Sequence, residues 1–151
     1  MSNSYDTLYL QLQGLLENES DWIANLANAS ALLWMSLPDI NWVGFYLRGG
    51  NQLVLGPFQG KPACTRIDMG AGVCGTAAAN NATQLVADVH QFDGHIACDA
   101  ASNSELVVPI AVNGNVVAVL DIDSPLLGRF DESDQQGMER LVTLLTAKYP
   151  R

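Results

Sequence analysis

The chain is short of positive charge, of histidine and of paired cysteines, and each shortage removes a class of function. Seven lysines and arginines stand against sixteen aspartates and glutamates, a net charge of −9. Such a surface repels phosphate backbones and anionic lipid, so neither nucleic acid nor a membrane is an expected partner. No uninterrupted apolar run reaches the roughly 20 residues a membrane span needs. The opening Met1-Ser2-Asn3-Ser4-Tyr5-Asp6 lacks the basic and apolar regions of a signal peptide, so the expected location is the cytoplasm. Three cysteines, Cys64, Cys74 and Cys98, are an odd number for a disulfide framework, and a reducing compartment disfavours permanent bridges. They contain no Cys-x-x-Cys pair, so even with His90 and His95 the match to a structural zinc site is weak. Phosphate-cradling glycine motifs and the Gly-x-Ser-x-Gly elbow are also missing. No metal and no bound cofactor is expected.

What remains is a chain of 151 residues, 48% apolar and only 15% charged. That composition argues against disorder, and the length suits one domain over residues 1–151 that buries roughly 70% of its unfolded surface. Tyr5, Leu8, Leu12, Leu15 and Leu16 follow the spacing of one helical stripe, predicting a helix over about 5–17. Ser20 and Asp21 offer a cap for a second helix that Pro38 closes. A hairpin is predicted from residues 41–47 and 52–58, turning through Arg48-Gly49-Gly50-Asn51. Residues 59–72 read as irregular, followed by a short helix near 73–79, a strand at 84–89 and a long polar loop at 90–103. A second hairpin pairs 105–112 with 116–123 through Asn113-Gly114-Asn115. Asp131 caps a last helix that buries Met138, Leu141, Val142 and Leu145. Helices at both ends around hairpin-linked strands give an α+β domain with a central antiparallel sheet of five or six strands, the terminal helices on one face.

Strand parity carries the most information. Val43, Phe45 and Leu47 point one way and Trp42, Gly44 and Tyr46 the other; Val116, Ala118, Leu120 and Ile122 oppose Val117, Val119, Asp121 and Asp123. One face is therefore aliphatic, while the other carries two aromatics, a glycine and two carboxylates. A half-buried carboxylate is costly unless paired, so two on one face point to a pocket for a cation. The plainer alternative is a fraying strand end with both aspartates solvated. Glu105 opens the partner strand, where hairpin geometry places it near that end; an exposed strand-entry charge is an equal reading. Cys98 lies in the long loop, where catalytic groups concentrate. Cys64 also sits in a loop, between Lys61 and Arg66, cations that lower a thiol pKa. Cys74, at a helix start, reads first as a small packed residue.

The segments Asn41-Trp42-Val43-Gly44-Phe45-Tyr46, Gly60-Lys61-Pro62-Ala63-Cys64, Gly72-Val73-Cys74-Gly75-Thr76-Ala77, Gly94-His95-Ile96-Ala97-Cys98-Asp99, Ser104-Glu105-Leu106-Val107-Val108-Pro109 and Leu120-Asp121-Ile122-Asp123-Ser124 resemble the signature of the GAF-domain free methionine-(R)-sulfoxide reductases. The resemblance runs from about residue 20 to 148. Asp93 stands before Gly94 where the family pattern has proline, a loop change outside the chemistry. The resemblance implies a GAF-like fold and an oxidoreductase of oxidative stress. Cys98 would attack the sulfoxide sulfur of free methionine sulfoxide and become a sulfenic acid. Cys64 would resolve it to a redox-active disulfide, with Cys74 as the backup thiol, and a thioredoxin-like donor would restore the thiols. Glu105, Asp121 and Asp123 would supply the proton and hold the substrate ammonium, and Trp42 and Tyr46 would wall the methyl group. A homodimer, through the helix at about 5–17, also follows. The competing reading is a non-enzymatic GAF sensor of a small molecule or redox state.

Overall fold

The computed structural model describes residues 2–95 and 101–150; Cys98 therefore lies outside the described residues. Two helices open the chain, α1 (Ser2–Leu16) and α2 (Trp22–Ser36). Asp21 caps α2, its carboxylate accepting from the Ala24 N–H at 2.8 Å, which satisfies one of the donors a helix start leaves open. The strands are β1 (Trp42–Gly49), β2 (Gln52–Gly60) and β3 (Arg66–Asp68), then β4 (Gln84–Val86), β5 (Ser104–Val112) and β6 (Asn115–Ser124). Helix α3 (Gly72–Asn80) stands between β3 and β4, and α4 (Glu132–Ala147) ends the fold. A reciprocal pair of hydrogen bonds between Asp131 and Asp134 starts α4.

The six strands form one sheet in the order β3-β2-β1-β6-β5-β4, every neighbouring pair antiparallel. Helices α2 and α4 pack on the sheet, and α1 lies against both of them. Their shared core joins Leu8, Leu12, Leu26, Leu33 and Leu141 to Val43, Phe45, Leu120 and Ile122. On the opposite face α3 meets β5 and β6 around Trp42, Tyr46, Leu53, Val107 and Val119. The predicted terminal-helix layer and aliphatic strand face are both present.

Three local readings need correction. The stretch 59–72 is not wholly irregular: β3 pairs Ile67 with Leu53, and three residues are too few to show a period. The turn between β1 and β2 is tighter than four residues, since Gly49 already pairs with Gln52 and Gly50 takes the left-handed conformation at φ 65°. Val116 belongs to the opposite face from Ala118. The β5–β6 register slips so that Ile110 faces Ala118 but Ala111 faces Val116. This bulge places two residues of β6 against one of β5 and inverts the parity beyond it.

Candidate active site

The site grows from one row of the sheet. Trp42 on β1 faces Asp123 on β6, which in turn faces Glu105 on β5; one pleat along, Gly44 faces Asp121. Residues two apart share a strand face, so register alone gathers Trp42, Tyr46, Glu105, Asp121 and Asp123 beneath α3. The strand end does not fray. Ser124 is fully buried and its hydroxyl donates to the Asp39 carbonyl at 2.6 Å, while the equally buried Ser104 donates to the Leu126 carbonyl at 2.5 Å. Glu105 and Asp121 are 8% and 5% exposed, which rules out the solvated reading for both; Asp123 is half-buried.

Tyr46, Trp42 and Phe58 stack in sequence, with ring centroids 5.9 and 5.1 Å apart. Gly44 sits between the two pocket aromatics at an irregularity in the β1–β2 pairing, and a Cβ there would collide with Phe58 and the Pro57 carbonyl. The aromatics also fasten the loop after β2. Trp42 Nε1 donates to the Lys61 carbonyl at 3.1 Å and the Tyr46 hydroxyl to the Cys64 carbonyl at 2.9 Å. Cys64 is disulfide-bonded. Cys74, in the first turn of α3, is a buried free thiol whose Sγ lies 3.9 Å from Glu105 Oε2.

Together these groups line one cavity of about 50 Å³, closed further by Pro62, Ala63, Ile67, His95 and Ser102 and by Ala71, Gly72 and Val73 at the start of α3. Burial, then the charges of Asp121 and Asp123, hold the Glu105 carboxyl well above the ordinary carboxylate range. Burial also raises Asp121, opposed by hydrogen bonds from Glu105, Cys74 and Asp123. Both carboxyls are therefore biased toward holding a proton. Burial and the same acids push the Cys74 thiol up. Asp121 Oδ1 is buried with no hydrogen-bond partner, an arrangement that is costly unless a cation enters.

Residues 23–147 match the GAF domain family model. The chain is 56% identical over 141 residues to the free methionine-R-sulfoxide reductase of Escherichia coli, covering 93% of this chain and 86% of that protein. It superposes on the reduced form of fRMsr of Staphylococcus aureus with a TM-score of 0.94 at 53% identity, covering 97% and 95% of the two chains. A free methionine-R-sulfoxide reductase of Neisseria meningitidis, solved with its substrate, gives 0.94 at 44% identity, covering 96% and 87%. The chain belongs to the GAF-domain free methionine-R-sulfoxide reductase family.

Within that family fold, the structure brings together seven of the eight residues singled out from sequence. Six line or border the cavity directly: Trp42, Tyr46, Cys74, Glu105, Asp121 and Asp123. Cys64 adjoins Ala63 in the wall and is tied to Tyr46. Sequence reasoning missed His95, Ser102 and the start of α3 as lining. His95, weighed in the sequence only as a weak zinc ligand, reaches the cavity edge, where burial and then the nearby His90 lower its pKa. Ser102 accepts from Asn41 Nδ2 at 3.2 Å. A helix start rich in small residues, Ala71-Gly72-Val73-Cys74, was the available signal for the third.

Proposed function

We propose that this chain reduces free methionine-R-sulfoxide to methionine through its own cysteines. One observation carries the reading: a buried carboxylate cluster with an unpartnered Asp121 oxygen, closed into a small cavity beside an aromatic wall. The activity named for the relatives has a substrate that meets each of these features. Its ammonium supplies a cation to the unpartnered Asp121 oxygen. Its carboxylate suits the first turn of α3, where no side chain caps the N–H groups of a helix start. Trp42 and Tyr46 offer an apolar surface to the S-methyl group.

Chemistry then runs from the protonated Glu105. The Cys98 sulfur bonds to the sulfoxide sulfur while Glu105 gives its proton to the oxygen, which must otherwise leave as oxide. The hydroxyl then passes from the substrate sulfur to the Cys98 sulfur as the bond between the two sulfurs breaks, leaving Cys98 as a sulfenic acid and releasing methionine with its sulfur reduced. The Cys64 thiol displaces that hydroxyl as water, forming a disulfide, and a dithiol donor of the thioredoxin class returns both thiols. The disulfide-bonded state of Cys64 and its carbonyl's tie to Tyr46 support its role as resolving thiol. Acids of this pocket would disfavour the thiolate of a nucleophile acting in it, and a substrate ammonium that neutralises them would favour attack.

The test is methionine release from separated R and S epimers by the reduced protein. Methionine should appear from the R epimer alone. Tight binding of the R epimer without any release would replace this reading with that of a ligand sensor.

A further inference from the structure

The acidic pocket also holds Cys74, a thiol that the proposed cycle leaves without a step, beside two of the acids that the cycle uses. Cys74 Sγ, one oxygen of Glu105 and one of Asp121 lie within 4.8 Å of one another, and all three residues are buried. They come from three separate elements, α3, β5 and β6, which is why cysteine spacing gave no metal signal. At bond lengths of roughly 2.0–2.3 Å, tetrahedral zinc places adjacent donors about 3.3–3.8 Å apart; the Sγ–Oε2 pair stands at 3.9 Å. Small shifts of side chains would close the set. A thiol with two carboxylates is a mixed soft and hard donor group. Calcium and magnesium take oxygen alone, whereas zinc accepts both donor types and often keeps three protein ligands with one position open.

Asp121 Oδ1 supplies the independent indication. Its residue is 5% exposed and lines the cavity, and the oxygen has no hydrogen-bond partner. A substrate ammonium satisfies it only while substrate is bound. A divalent cation carries twice that charge and forms a bond to sulfur that an ammonium cannot.

We propose that this pocket binds a thiophilic divalent cation, Zn²⁺ in the cell, through Cys74, Glu105 and Asp121, and that the bound metal excludes the substrate. Exclusion rests on the reading of the acids as the ammonium site; metal binding does not. As the metal–donor bonds form, the Cys74 thiol proton and the Glu105 proton pass to solvent, and no electrons move. Zinc would then silence the reductase reversibly.

The test uses the full chain carrying Cys64→Ser and Cys98→Ser, which leaves Cys74 as the one thiol of three. Its fold is checked first by circular dichroism. Titration with Cd²⁺ should produce a thiolate–metal charge-transfer band that saturates at one equivalent, and Zn²⁺ should remove it. Adding Asp121→Asn, or Glu105→Gln if that variant misfolds, should weaken Cd²⁺ binding at least about tenfold, as loss of a donor at a metal site does. A folded protein with no saturable band overturns the proposal, as does binding that neither carboxylate substitution changes. Saturating free methionine should raise the apparent Cd²⁺ dissociation constant. Carboxylate-dependent binding that methionine leaves untouched would uphold the metal site and overturn exclusion. The epimer assay stands apart, so a metal-free pocket that still releases methionine would leave the reductase reading intact.

Discussion

Leu120 and Asp121 are neighbours on β6 and almost equally buried, yet they face opposite demands. Leu120 and Ile122 turn into the apolar core beneath α2 and α4, where stability follows filled volume. Asp121 and Asp123 turn toward α3, where desolvated acids crowd together and the empty pocket works against folding. One strand thus separates stability from chemistry by parity alone. Damage to one face should appear as lost stability and damage to the other as lost rate.

The largest effects belong to the proposed nucleophile and resolving thiol. Cys98→Ser should abolish even a single turnover. Cys64→Ser should release about one methionine per enzyme and then stall as a sulfenic acid that a cyclic-diketone probe captures. Normal cycling by Cys64→Ser, with a stall in Cys74→Ser, would exchange their roles. Next come the acids. Asp121→Asn, Asp123→Asn and Glu105→Gln should each cut turnover by about a hundredfold or more, the scale of a lost general acid, while the melting temperature holds or rises. Near-normal turnover in all three would end the claim that this face does chemistry.

The opposite face gives the converse. Leu120→Ala should cost about 2–5 kcal/mol in denaturant unfolding with turnover per folded molecule nearly unchanged. A folded Leu120→Ala protein that lost most of its turnover would show that the two faces are not separable.

Much of this division was legible before any coordinates, because parity is a local property of a strand. Trp42 and Tyr46 share one face of β1, and Asp121 and Asp123 one face of β6, by alternation alone, and the aliphatic runs on the other faces select the register that unites them; Asn113-Gly114 closes the β5–β6 hairpin with both residues at positive φ. Helix starts were equally plain, since Asp21 and Asp131 both cap as expected. What escaped depends on distant chain segments. The β5–β6 bulge moves Val116 to the other face through a register that no single strand encodes. Strand β3 exists through its pairing with β2, not through a pattern of its own. Cys74 reads as a small helix residue until α3 docks over β5 and β6 and brings Sγ to Glu105.

The smallest predicted effect concerns pH. Because the folded state holds the Glu105 proton well above the ordinary range, the unfolded chain releases it first as pH rises. The stability this group contributes is therefore full below the ordinary glutamate pKa of about 4.3 and declines as pH climbs toward the folded value. Glu105→Gln cannot ionise, so its stability relative to the parent protein should increase between about pH 5 and pH 8 in parallel urea titrations. A difference constant with pH would mean that Glu105 is already ionised in the folded pocket.

The central claim is that buried acids read a free ammonium group. It is tested most directly by comparing kcat/KM for free and N-acetylated methionine-R-sulfoxide with the same reductant. Acetylation removes the charge and leaves the sulfoxide intact, so the buried Asp121 Oδ1 would gain no cationic partner. The account predicts a loss of at least about a hundredfold, the scale of an uncompensated buried charge. Comparable values for the two substrates would contradict it.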